Sequence, residues 1–300
     1  MSFLGELLDK YRVISLIGMS KNAGKTTVLN HLIQYFKKNN LSVALTSIGR
    51  DGEDTDVVTG TKKPRIYVSA GSIIVTAEAL LKLSDVTFEI LSLTEYNTPL
   101  GRIIITRALS DGFVQIGGAS ISFQIFEILK NIAPYNVDKV LIDGAINRKS
   151  ISNPLLAEAV VLSAGASLSS DMDEVILKTK HAAKILMLQK TVIHEPVYDT
   201  SHHEYIPGAI TDTKIRTLLF SGKNLKGYQI VCDDPSKVLI SVDIYEKLLK
   251  SGAVLTVKNP VNLVAITVNP VSVNGFCFPK NLFLQKMTKA VDIPVVDVKS

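Results

Sequence analysis

Short apolar, β-rich runs alternate along the chain with stretches in which apolar residues recur every three or four positions. Val13-Ile-Ser-Leu-Ile17 is the first such run, and from Lys25 onward Val28, Leu29, Leu32, Ile33 and Phe36 recur at helical spacing until Asn39 and Asn40 end the pattern. A second strand is predicted over Val43 to Ser47. Further strand-like runs lie near Ile66, Phe88 to Leu93, Ile103 to Ile105, Val140 to Ile142 and Ala159 to Leu162. Helical spacing predicts helices around Ile73 to Leu83 and Ile121 to Ile132. Continuous Val/Ile/Leu strands alternating with helices indicate a parallel sheet covered on both faces.

A helix is predicted from Asp171 to Leu188, where Met172, Val175, Ile176, Ala183 and Leu186 form one face and Ser169 or Ser170 supplies the cap. It closes a first domain, 1–190. From Thr191 to Gly208 the chain mixes Pro196, Pro207, Gly208 and polar residues, as a connection does. Beyond it, strands at Tyr228 to Cys232, Val238 to Ser241, Ala253 to Val257, Leu263 to Val268 and Ile293 to Val296 alternate with helices at Ile244 to Leu249 and Leu282 to Ala290. This is expected to be a second, smaller α/β domain, 191–300, suited to contacting a partner.

Composition narrows the class. With 46% hydrophobic and 20% charged residues in 300, the chain has material for one or two cores and little for long disordered tails. The net charge of +5 permits an anionic partner, but Lys and Arg are scattered, so nucleic acid is not expected. Cys232 and Cys277 form no C-x-x-C pair and are read as buried thiols. The segment from Met1 to Arg12 carries Glu6, Asp9, Lys10 and Arg12 and has no apolar leader core. No later run approaches the roughly 20 apolar residues of a membrane span. A cytoplasmic protein without a membrane segment is expected, with a homo-oligomer left open.

The chemistry concentrates in Gly18-Met-Ser-Lys-Asn-Ala-Gly24-Lys25-Thr26-Thr27, which lies between a strand and a helix where a Walker A loop belongs. Phosphates need successive backbone N–H groups and a helix N-terminus around them, an ammonium at the β/γ oxygens, and a hydroxyl on Mg²⁺. Gly18, Ser20, Lys21, Asn22, Ala23, Gly24, Lys25, Thr26 and Thr27 are accordingly the nucleotide-binding candidates, with Lys25 also catalytic and Thr26 on the metal. One departure stands out: the usual pattern puts its first glycine at position 19, which is Met19, while Gly18 lies one residue early. The expected fold class is α/β: a P-loop NTPase of three α/β/α layers with a mostly parallel sheet, plus the smaller second domain. ATP and Mg²⁺ are the expected cofactors. No N-K-x-D motif supports GTP.

Mg²⁺ takes oxygen ligands, and Val140-Leu-Ile-Asp143-Gly144 offers a carboxylate at a strand end. A plain Asp-Gly turn is the alternative; the glycine loop upstream favours the metal role for Asp143. The loop from Ile48 to Asp56 gathers four carboxylates, and Asp51 and Glu53 are candidates for positioning water or metal, against the alternative of a solvated acidic turn. Among basic residues in Thr61 to Arg65, at Arg102 and Arg107, and at Arg148 and Lys149, surface charge is the ordinary reading. Arg148 and Lys149 follow Asp143 closely, and Arg148 is taken as a phosphate candidate. His202 and His203 are adjacent and have no second ligand pair, so zinc is rejected.

The Lys-Asn-Ala-Gly-Lys-Thr-Thr loop resembles those of the group that includes dethiobiotin synthetase and the molybdopterin-guanine-dinucleotide accessory proteins. Several phrases together, Ile17 to Thr27, Thr61-Lys-Lys-Pro-Arg65, Ser110-Asp-Gly-Phe-Val-Gln115, Ile142-Asp-Gly-Ala-Ile-Asn-Arg-Lys-Ser150 and Leu162-Ser-Ala-Gly-Ala-Ser-Leu168, are similar to the P-loop subunit of the clostridial lysine 5,6-aminomutase reactivase. Thr267-Val-Asn-Pro270 extends the likeness towards the C-terminus. The resemblance implies a chaperone-like ATPase that works with a MutS-like ATPase subunit to restore an adenosylcobalamin-dependent aminomutase. The residues read alone leave two other functions open: a ligase or kinase acting on a small acid, and a nucleotide-sensing module without useful turnover.

Overall fold

Strand β1 (Val13–Gly18) is buried beyond its first residue because it has parallel neighbours on both edges and helices over both faces. The computed structural model describes residues 2–48, 65–119, 121–144, 157–192 and 202–297. Before β1 lies α1 (Ser2–Leu8), and after it come α2 (Lys25–Lys38), β2 (Val43–Ser47), β3 (Ile66–Val68), β4 (Ile73–Ala77), α3 (Glu78–Leu81), β5 (Phe88–Thr98), β6 (Gly101–Ala108) and β7 (Gly112–Val114). Then follow α4 (Ser122–Ile132), β8 (Lys139–Asp143), β9 (Ala159–Gly165), α5 (Met172–Leu186), β10 (His203–Tyr205), β11 (Ile210–Thr211) and α6 (Asp212–Leu219). The chain ends through β12 (Gln229–Cys232), β13 (Val238–Leu239), α7 (Val242–Lys250), β14 (Val254–Val257), β15 (Leu263–Asn269), α8 (Lys280–Ala290) and β16 (Val295–Asp297).

Nine strands form one sheet in the order β16-β15-β9-β1-β8-β2-β4-β6-β5. The six neighbour pairs from β16 to β4 are parallel, and the β4–β6 and β6–β5 pairs are antiparallel. One face packs on α1 and α2 through Leu4, Leu8, Leu29, Leu32 and Phe36, and the other on α4, α5 and α8 through Ile125, Ile128, Val175, Ala183, Phe283 and Met287. The fold is therefore the expected three-layer α/β/α class with a mostly parallel sheet. Among the described residues, no helix is long and apolar enough to cross a membrane.

A smaller α/β part is present but does not occupy all of 191–300. Three parallel strands, β10-β12-β14, and the β11–β13 pair pack with α6 and α7 around Ile215, Tyr228, Ile230, Ile244 and Leu248. After β14 the chain returns to the large sheet: β15 pairs with β9 from Leu263 opposite Val160 to Asn269 opposite Gly165, and β16 adds beyond it. The expected domain 191–300 is thus corrected, since Leu263 to Asp297 completes the first sheet. Apolar β15 is buried on both faces, paired with β9 on one edge and β16 on the other.

Other expectations also change. The run expected as a helix from Ile73 to Leu83 is strand β4, fully buried and β-branched, paired with β2 on one edge and β6 on the other; only Glu78–Leu81 is helical. Helix α5 is capped by Asp171, whose Oδ1 accepts from the N–H groups of Asp173 at 2.8 Å and Glu174 at 3.4 Å. Ser169, a predicted cap, instead donates to the Glu174 carboxylate at 2.5 Å. Cys232 is buried, and burial pushes its thiol up to about 12. Cys277, expected buried, is exposed in the loop before α8.

The segment after β7 folds back beneath the ends of β2 and β4. The Gly117 N–H donates to Thr76 Oγ1 at 3.0 Å, and the Gly117 carbonyl accepts from the Ala77 N–H at 2.9 Å. A Cβ at Gly118 would lie 1.7 Å from the Ser47 carbonyl oxygen, so only glycine fits. Gly118→Ala is expected to destabilise the chain by about 3 kcal/mol, because the obstacle is strand backbone and cannot rotate away. Gly208→Ala, at a site with open space, serves as the control and should stay within about 0.5 kcal/mol of the parent. Equal denaturation midpoints for the two variants would contradict this packing.

Candidate functional site

At the carboxyl end of β1 the chain order reverses. β8, β2 and β4 lie on one side of this strand, and β9, β15 and β16 on the other. In open parallel sheets such a switch point leaves a crevice for ligands. The glycine-rich loop opens into it, joining β1 directly to α2.

Met19 does not break the loop, for a geometric reason. Its N–H donates to the Ser163 carbonyl at 2.8 Å, which carries the β1–β9 pairing one residue past the strand, and its side chain packs against the core. The Lys25 stem lies back across Gly18. A Cβ there would meet Lys25 Cδ at 2.9 Å and Cγ at 3.0 Å. The early glycine thus leaves room for the lysine stem as it lies.

The turn itself uses left-handed backbone at Asn22, with φ of 60°, and at Gly24, with φ of 101°. Asparagine and glycine are the residues that tolerate this region. Ala23 between them is buried, while Lys21 is exposed. Gly24 is the N-cap of α2 and makes no side-chain cap, and the first helical bond recorded there runs from Val28 N–H to the Gly24 carbonyl at 3.1 Å. The N–H groups of Lys25, Thr26 and Thr27 thus precede the helical ladder at the positive end of a 14-residue helix, where anions are favoured.

Lys25 and Asp143 meet. Parallel pairing sets Leu16 opposite Asp143, so the end of β8 lies beside the loop. Lys25 Nζ donates to the Gly144 carbonyl and lies 3.7 Å from Asp143 Oδ1; the side chains of Lys25 and Asp143 are only 15% and 17% exposed. At that burial the attraction is screened less than on an open surface. Asp143 is further fixed on the other side by the Ile48 N–H, which donates to its carbonyl at 2.8 Å.

Two anchors tie the candidate loop to residues that were not candidates, Ser167 and Asn269. Ser20 and Ser167 hydroxyls are 2.9 Å apart, linking the loop to the segment after β9. Asn269 Nδ2 donates to the Asn22 carbonyl at 3.3 Å from the end of β15. Thr267-Val-Asn-Pro270 was the available signal for Asn269: a polar residue before a proline at the end of an apolar run. It was assigned to another domain until the strand pairing placed it here.

The remaining candidates divide clearly. Asp51, Glu53, Arg148 and Lys149 lie outside the described residues. Arg65 pairs with Asp85 at 2.7 Å, and Arg107 with Glu89 at 2.9 Å, both on open surface. Arg102 lies on β6 opposite Asn97, near the antiparallel edge of the sheet and far from β1 in strand order.

No family model matches the chain, and no curated protein matches it. Among solved structures it is similar to the signal recognition particle receptor FtsY from Elizabethkingia anophelis, at 12% identity and a TM-score of 0.32, over 95% of this chain and 70% of that one. So shallow a likeness leaves the reading of the site to its own geometry.

If the crevice takes a triphosphate with Mg²⁺, Asp143→Asn should weaken the Mg²⁺-dependent part of that binding by about tenfold or more. The amide keeps the shape but loses the charge. Metal-free affinity should be unchanged or higher, since Lys25 loses a competing anion. Titrations with and without Mg²⁺ separate the two, and an equal fall in both would make Asp143 a structural residue.

Proposed function

We propose that the chain is a P-loop nucleotide-binding protein taking ATP with Mg²⁺ at the carboxyl ends of β1, β8 and β9, and that it hydrolyses ATP slowly. The observation that carries this reading is the Lys25 arrangement. Its stem crosses Gly18, its ammonium is held at Asp143 and Gly144, and it starts a helix whose first N–H groups have no side-chain cap. An ammonium, a helix N-terminus and a carboxylate at one crevice fit a polyphosphate with its metal.

In this reading the backbone from Ser20 to Gly24 and the N–H groups of Lys25, Thr26 and Thr27 surround phosphate oxygens, with Lys21 at the exposed rim. Lys25 neutralises the transferring phosphate. Thr26 and Asp143 would hold Mg²⁺, which would neutralise charge on the phosphates. Asp51 and Glu53 position water, and Arg148 contributes positive charge. Specific roles for these last three rest on sequence alone.

The biological role we favour is reactivation or assembly of an adenosylcobalamin-dependent aminomutase together with a MutS-like ATPase subunit, in the cytoplasm. It is supported by the sequence resemblance of five segments, Ile17 to Thr27, Thr61 to Arg65, Ser110 to Gln115, Ile142 to Ser150 and Leu162 to Leu168, and of Thr267 to Pro270. A machine of this kind needs triphosphate and diphosphate states that bind the client differently. Calorimetry with ATP, ADP and GTP, with and without Mg²⁺, tests the nucleotide reading, and absence of triphosphate binding overturns it. Rapid phosphorylation of a small acid in a substrate panel would instead establish the dethiobiotin synthetase-like ligase or kinase. Tight ATP and ADP binding with no hydrolysis under any condition would leave a sensing module.

A further inference from the structure

Helix α5 carries a stripe that neither the phosphate site nor the core uses fully. Lys180, Ala183, Lys184 and Met187 recur at helical spacing and line one wall of a cavity of about 390 Å³. The opposite wall comes from the smaller α/β part, with Tyr245 and Leu249 of α7 and Val254 of β14, and the segment after α8 closes one end at Val291 and Asp292. The cavity therefore forms where the two parts of the chain meet through α5. Clefts of this size at such junctions are where small ligands bind.

Its chemistry is divided between two ends. Met187, Leu249 and Val254 are 36%, 44% and 45% exposed, a concentration of solvent-facing apolar surface on a concave wall. Lys180 and Lys184 lie one turn apart on the rim of the cavity, with the buried Ala183 between them on its wall. Neighbouring lysines are engaged: Lys178 with Glu174 at 2.6 Å and Lys286 with Asp173 at 2.7 Å. Among the described residues no ion pair engages Lys180 or Lys184. Two lysines against Asp292 leave the lining with a net positive charge. A helix-end charge effect accounts for Lys184, in the last turn, but not for Lys180, one turn further in.

The floor is rigid. The Tyr245 ring packs edge-on against His181 at 5.5 Å between centroids, and His181 Nε2 lies 2.8 Å from the Ile240 carbonyl oxygen.

We propose that this cavity binds a small amphipathic anion, an acyl carboxylate whose head lies on Lys180 and Lys184 and whose tail covers Met187, Leu249 and Val254. The site is separate from the phosphate crevice and does not depend on the nucleotide reading. Burying the tail recovers exposed apolar surface, and the two ammonium groups supply charge-assisted bonds to the head.

The chain contains no tryptophan, so Leu249→Trp creates a single fluorescent reporter at a position already exposed to solvent. Decanoate, decanol and decylamine are titrated separately, each below its aggregation limit, and decanoate is also titrated by calorimetry into the unaltered chain. Decanoate is expected to bind saturably, with decanol about tenfold weaker and decylamine weaker still. Lys180→Gln with Lys184→Gln should reduce decanoate to the decanol level without changing the thermal midpoint appreciably, because Lys184 is exposed, Lys180 is half-buried, and glutamine keeps most of each stem. Three outcomes overturn the proposal: no saturable decanoate binding in either measurement, equal affinity for decanoate and decanol, or unchanged decanoate affinity in the double glutamine variant.

Discussion

Lys25→Ala is expected to raise the dissociation constant for Mg²⁺–ATP by about 10²- to 10³-fold, the loss of two or more charge-assisted contacts to phosphate. The structure adds a second consequence. Lys25 is bonded to the Gly144 carbonyl and lies 3.7 Å from Asp143, so its removal also leaves a carboxylate with little solvent access and one cation fewer. Some loss of stability should accompany the loss of binding, on the order of 1 kcal/mol or more. Lys25→Arg separates the two effects. It preserves a positive charge near Asp143, while its planar head cannot reproduce a lysine's point contact beneath the phosphates. Calorimetry with ATP and a denaturation midpoint are therefore needed for both variants. A stable, folded Lys25→Ala protein with parental affinity removes the nucleotide reading, whatever the fold.

The strand, glycine turn, lysine and helix start that make up the candidate phosphate site were legible because they occupy consecutive positions, and Gly18, one residue earlier than the usual pattern, lies under the Lys25 stem. Asp143 was legible for the same reason, as a carboxylate ending an apolar run. The position of Asn269 was not. Its strand is separated from β9 by the whole β10-to-β14 part, and nothing in an apolar run says which of two sheets it will join. Pairing partners are long-range, and Leu263 to Asn269 would read identically in either. Strand β4 was lost to a different ambiguity: Ile73 to Leu83 contains apolar residues at both two- and three-residue spacing, and burial on both faces decided for the strand. The cavity beside α5 was invisible because its walls come from three distant segments.

On the proposed nucleotide reading, the largest effect concerns turnover. Hydrolysis by the isolated chain is expected to be slow and to rise by about 10³- to 10⁵-fold with the right protein partner, the range spanned when a partner orders a loop or inserts a cation at a transferring phosphate. The reason lies in what surrounds the crevice. Lys25, Asp143 and the helix N-terminus are fixed by the sheet, but among the described residues Arg65 and Arg107 are spent on Asp85 and Glu89. Arg102 lies near the far edge of the sheet. The candidate binding groups thus lie on the core elements, whereas Asp51 and Glu53, proposed to position water, follow β2 in sequence and lie outside the described residues. A partner acting through Asp51 and Glu53 is expected to change the chemical step and leave ground-state binding nearly unchanged. Steady-state hydrolysis should be measured alone, with a MutS-like ATPase subunit, and with that subunit plus an inactivated cobalamin-dependent aminomutase. Stimulation is expected in kcat with little change in KM, and Asp51→Asn or Glu53→Gln should abolish the stimulated rate while sparing ATP affinity. Fast turnover without any protein partner, or stimulation by a small acid in place of the proteins, would exclude the reactivation role and leave the ligase or kinase in its place.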